Sequence, residues 1–145
     1  MVSIHNAAEL DELLQNWTDS PRRTKQAFLT LKDHLCRRTD LTLDFNARPG
    51  VTFSLRARHD NQQSRPLFAM VDIIDDDPSD RWLSVCFYGE MISDPDERGD
   101  FVPEGLLGED AHCFDIEKWD EEQLQYVLDR LDEAYAHAAA IEETT

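Results

Sequence analysis

This sequence predicts an α+β fold: two N-terminal helices, a five-stranded mainly antiparallel sheet, and one C-terminal helix packed with the others on one sheet face. Three observations carry that expectation. Apolar residues recur at helical spacing near both ends of the chain, the period switches to two after Leu41, and helices and strands come in runs instead of βαβ alternation. The predicted order is ααβββββα in one domain over residues 1–145, a length that can bury a two-layer core.

The first helix is expected to open at Asn6, with Glu9 completing a capping box, because Leu10, Leu13, Leu14 and Trp17 follow at i, i+3, i+4, i+7. Ser20 and Pro21 supply the N-cap and N1 of a second helix whose buried face is Ala27, Phe28, Leu31 and Leu35, running to about Arg37. From Leu41 a hairpin follows, in which Leu41, Leu43 and Phe45, then Val51, Phe53, Leu55 and Ala57, alternate with polar residues around a turn at Pro49-Gly50. The segments PLFAMVDII and RWLSVCFYGEMI are more continuously apolar, as expected of central strands covered on both faces, and DDDPSD turns between them.

Residues 93–110, with Gly99, Gly105 and Gly108, are expected to form a long loop, a feature that in compact domains is usually functional, disordered or partly structured. A short strand AHCFDIE then leads into a last helix capped by Asp120, with Gln123 at N3 and a staple of Trp119 on Leu124. Its apolar stripe is Leu124, Val127, Leu128, Leu131, Tyr135 and Ala138, and residues 141–145 are expected to fray.

Charge is distributed unevenly. The net value is −17, yet residues 20–65 carry ten basic against four acidic side chains, while residues 66–145 carry four against twenty-three. Such a bipolar acidic chain is repelled by phosphate polymers, which argues against general nucleic-acid binding, although a local basic face could still touch one. No apolar run is long enough for a membrane span and the N-terminus lacks the pattern of a signal peptide, so a cytoplasmic protein with no membrane partner is expected. Cys36, Cys86 and Cys113 are odd in number and far apart, without CxxC, and read as small buried hydrophobes, not as a disulfide framework or zinc site.

Asp94 to Gly105, DPDERGDFVPEG, half matches a calcium loop, with Asp94, Asp96 and Gly99 at positions 1, 3 and 6. Arg98 at position 5 and Gly105 at position 12 break the pattern, and a strand, not a helix, enters it. An acidic surface turn is the expectation. The turn Asp75, Asp76, Asp77 lies at the other end of the strand spanning 81–92, about 40 Å away at ~3.3 Å per residue, so the two cannot share an ion. His112 and Cys113 are neighbours on a strand and face opposite ways, and no GxSxG, P-loop or GxGxxG occurs.

VTFSLRARH, the apolar strands and the closing EDAHCFDIEKWDEEQLQYVLDRLDEAYAHA, with its Ala134-Tyr135 pair, resemble the YdhG-type group of bacterial domains of unknown function over roughly residues 22–138. Loop 93–110 departs from that pattern. Some members of the group have been likened to frataxin, so the resemblance implies, as an alternative, an acidic iron-handling protein binding a divalent cation through Asp75, Asp76, Asp77, Asp94 and Asp96.

The residues best suited to a ligand or partner are Arg48, Arg56 and Arg58 on the hairpin with Tyr88 beside them, since arginine forks near aromatic rings hold carboxylate or phosphate groups. Phe101, with Leu106 or Leu107, is expected to anchor loop 93–110 as the lip of that cleft. The competing use of these arginines is internal pairing with acidic segments. The leading functional expectation is a non-catalytic binding or interaction module without a cofactor, taking a small anion, a protein partner or a second copy of itself. An enzyme assembled only by folding ranks third, because no acid–base pair is visible.

Overall fold

The computed structural model describes residues 2–143. It has one seven-stranded sheet and three α-helices. A short strand β1 (Ser3–His5) comes first and pairs in parallel with β2 (Leu41–Arg48). Helices α1 (Ala7–Asn16) and α2 (Thr24–Cys36) lie between them, and β3 (Thr52–His59), β4 (Ala69–Ile74) and β5 (Trp82–Tyr88) continue as an antiparallel meander. A single 3-10 turn (Gly89–Met91) leads towards β6 (Asp100–Leu106) and β7 (Glu109–Ile116), before α3 (Glu121–Glu143) closes the chain. In space the order is β1-β2-β3-β4-β5-β7-β6, with every pair but the first antiparallel.

The expected five strands and the order ααβββββα are therefore corrected at two places. A three-residue strand precedes α1, too short to show a period of two. The segment expected as a long loop contains β6, whose sequence DFVPEGL holds a proline and a glycine, residues that disfavour a central strand; as an edge strand it tolerates both. Of the tail expected to fray, α3 extends through Glu143, and residues 144–145 lie outside the described residues.

Two helix caps also differ from expectation. Asn6 adopts φ 67° and its side chain donates to the Phe45 carbonyl at 2.9 Å, tying α1 to β2 in place of a capping box. Helix α2 starts at Thr24, not beside Pro21, and its first amides, Lys25 and Gln26, donate to the Asp19 carboxylate at 3.1 and 3.3 Å. At α3 the Asp120 cap forms as its sequence predicts, accepting from the amides of Glu122 and Gln123.

The core lies between the helices and one sheet face built from Leu43, Phe45, Leu55, Val71, Ile73, Leu83, Val85 and Phe114, all essentially inaccessible. Two similar polar clusters pin α3 there. Tyr126 donates to Asp94, which also meets His112 Nε2 at 2.7 Å; nine residues on, Tyr135 donates to Asp40, which meets His59 Nε2 at 3.2 Å. The His59 Nδ1 accepts from the Asn61 amide, so its Nε2 carries the proton towards Asp40.

The other sheet face has no helix on it. Along β4, Ala69, Val71 and Ile73 are buried while Met70, Asp72 and Ile74 are only half-buried, so this strand is not covered on both faces as its apolar run suggests. Cys86 and Cys113 are direct partners across β5 and β7 on this open face and form a disulfide, with Cα atoms 4.1 Å apart. Their separation of 27 residues hid a pairing that the strand register creates, which corrects the expectation of unlinked cysteines.

Candidate functional site

Residues of β3 alternate across the sheet, so Arg56 and Arg58 both project onto the open face, opposite Asp44 and Thr42 of β2 respectively. Together they line a cavity of about 190 Å³ whose apolar wall is Pro66, Leu67 and Leu107. Leu107 belongs to the β6–β7 turn, and β3, β4 and β5 separate that hairpin from β2 in the sheet. The hairpin tip and the sheet therefore curl towards each other across the open face. Three positive φ values within five residues, at Glu104, Leu107 and Gly108, produce that curl. Leu106, fully buried, holds the tip down.

The two arginines in this cavity form no ion pair among the described residues. Arg22, Arg38, Arg65, Arg81, Arg98 and Arg130 each reach a carboxylate within 4 Å. Among the described residues no such ion pair involves Arg48, Arg56 or Arg58. Arg58 donates, among the described residues, to the carbonyls of His59 and Gln62, at 3.5 and 3.3 Å, and the buried Nε of Arg56 has no acceptor. The nearby Asp72 is bonded to the Ser54 hydroxyl at 2.6 Å; burial raises its pKa, against the pull of Ser54 and the Arg56 charge.

Tyr88 and Phe101 lie in a different cavity, of about 430 Å³. There the Arg65 guanidinium stacks 4.3 Å above the Tyr88 ring and binds Glu90 at 2.5 Å and Glu109 at 3.0 Å, so its charge is already balanced. Tyr88 is 1 % exposed and its hydroxyl lacks a partner; burial raises its pKa, and the Glu109 charge adds to the effect. Phe101 is 61 % exposed, so it does not anchor the hairpin as expected; Leu106 does. Arg48 is exposed beside the β2–β3 turn and lines neither cavity. The five residues singled out in the sequence thus fall into three places.

A further cavity of about 430 Å³ lies beside α1, but its one cation, Arg81, is held by Asp75 at 2.6 Å. That pair is nearly inaccessible, and the second Asp75 oxygen accepts from the Gly50 amide at 2.7 Å.

The turn that opens the half-matched calcium loop is organised by Asp94. Its carboxylate accepts from the amides of Arg98 and Gly99 at 3.0 and 2.9 Å, from Tyr126 and from His112. Burial opposes its ionisation, yet the bonds from Tyr126, Gly99, His112 and Arg98 together hold the carboxyl well below the usual range. Gly99 is required here, because a Cβ would lie 2.7 Å from the His112 ring and 2.8 Å from Phe114. With Asp77 capping Ser79, Asp75 held by Arg81 and Asp94 bonded as described, three of the five acids named for a cation already serve protein donors. Among the described residues no group of three His, Cys, Asp or Glu is placed to share a metal, and no helix is long and apolar enough to cross a membrane.

Leu107, expected with Leu106 as an anchor at the lip of the cleft, does line the cavity, whereas Thr42 and Asp44 are site residues beyond those the sequence singles out. The hairpin register places Thr42 and Asp44 beside the arginines, so those two are recoverable from the sequence. No protein-family model, curated protein or solved structure matches the chain. The YdhG-type resemblance accordingly gains no support from these comparisons.

Proposed function

We propose that this chain is a binding module that receives an anionic group, a carboxylate or a phosphate, on Arg56 and Arg58 under the β6–β7 hairpin tip. One observation carries the reading: in a chain with thirty-one acidic residues, these two guanidinium groups share a cavity without an ion pair among the described residues. Guanidinium forks left in that state are matched to a planar anion. The divalent-cation alternative draws no support, since Asp75 and Asp94 are occupied by protein donors.

Calorimetric titration with acetate and with inorganic phosphate at low ionic strength tests it. Saturable binding that weakens with added salt and disappears in the double variant Arg56→Met, Arg58→Ala is expected. No saturable heat at millimolar anion, or binding that survives the double variant, overturns it. A protein partner or a second copy could present the same group from an acidic side chain. Sedimentation at low and high salt separates that source, because salt-sensitive association points to a macromolecular carboxylate.

A further inference from the structure

We infer that the group held between Arg56 and Arg58 belongs to a free α-amino acid with a small aliphatic side chain. This rests on the anion-binding reading above and narrows it. The cavity is not uniformly basic. Asp44 stands directly across from Arg56 in the β2–β3 register and lines the same space, and the two charged groups do not form an ion pair. Across a two-residue width of the sheet the site therefore offers two guanidinium donors and one carboxylate acceptor.

A simple carboxylate or phosphate satisfies the first and is repelled by the second. An α-amino acid satisfies both, because its carboxylate and its ammonium sit on one carbon, with the side chain leaving in a third direction. Besides these charged groups and Thr42 the lining is Pro66, Leu67 and Leu107, apolar surface for such a side chain. A volume of about 190 Å³ suits a ligand of this size and is below that of drug-sized sites, which begin at about 300 Å³. Asp44 is bonded to His5 Nδ1 at 3.3 Å and to Asn46 Nδ2 at 3.2 Å, one to each oxygen; each oxygen keeps a further lone pair for an ammonium, and the two contacts hold the carboxylate in place.

The test compares three ligands on the full chain: L-valine, 3-methylbutanoate, which lacks the ammonium, and isobutylamine, which lacks the carboxylate. Valine is expected to bind on the order of tenfold more tightly than 3-methylbutanoate, the value of one charge-assisted hydrogen-bonded pair, and isobutylamine not to bind. Asp44→Asn should erase that preference and leave carboxylate binding in place. Equal affinity for valine and 3-methylbutanoate in the native protein overturns the amino-acid inference while leaving the anion site standing, and needs no variant. Loss of both ligands together overturns the anion site as well. A preference that survives Asp44→Asn in a folded variant also overturns the assignment of the ammonium to Asp44.

Discussion

Asp44 and Arg56 are cross-strand partners in β2 and β3, yet their charges do not close into an ion pair. Opposite charges at such positions ordinarily meet, since paired Cβ atoms lie only about 5 Å apart. Here the buried Arg56 Nε is left without an acceptor. A donor in that state costs about 1–3 kcal/mol of desolvation. Arg56→Met, which keeps the stem and removes the donors, should therefore raise stability by about 1 kcal/mol while abolishing anion binding. Urea unfolding read beside calorimetry checks both halves. A variant that loses stability together with binding would show that the arginine is structural.

Asp94 should behave in the opposite way. Its ionised carboxylate is bonded by Tyr126, His112 and two amides, and Asp94→Asn is expected to cost about 2–4 kcal/mol. The pH dependence follows from the direction of its pKa. A carboxyl depressed on folding contributes stability that is fully present above its unfolded value, about 4, and is lost as pH falls through the folded value. The native protein should lose stability below about pH 4 more steeply than Asp94→Asn. Parallel acid unfolding curves for the two would contradict this.

The hairpin tip is held by Leu106 and not by Phe101. Leu106→Ala should cost about 2–5 kcal/mol and speed amide exchange from residue 103 to 110, whereas Phe101→Ala, at an exposed site, should stay within about 0.5 kcal/mol of the native protein. Exchange that responds to Phe101→Ala and not to Leu106→Ala would reverse the assignment.

Reduction of Cys86–Cys113 removes a covalent link that closes a loop of 27 residues. Chain-entropy arguments give such a link about 3–4 kcal/mol. Urea midpoints with and without a phosphine reductant should differ accordingly, and alkylation of the reduced, unfolded chain should add two more labels than the oxidised one. Identical label counts would show that the two thiols are not linked.

Much of the sheet was legible because β2 and β3 alternate cleanly from Leu41 to Arg58, and the α3 stripe from Leu124 to Ala138 fixes a helix by spacing alone. Asp120 as a cap was equally plain. What escaped were features set by partners distant in sequence. Asn6 abandons its cap for the Phe45 carbonyl, Cys86 finds Cys113 through register, and β6 is a strand only because β7 is there to pair with it. At the site, Arg56 and Arg58 could be singled out by residue type and face. Their want of an ion pair could not, because a sequence does not say which of many carboxylates a guanidinium will reach. Leu107 arrives through positive φ angles at Glu104, Leu107 and Gly108, and only the last of these has a residue type that announces it.

The central claim is that an anion is held by Arg56 and Arg58, and amide chemical-shift mapping of the labelled protein during titration with L-valine or acetate tests it most directly. The account predicts that the largest shifts cluster at residues 42, 44, 56, 58, 67 and 107, which line one cavity. Shifts centred on Arg65, Gly89 and Phe101, or none that saturate, would contradict it.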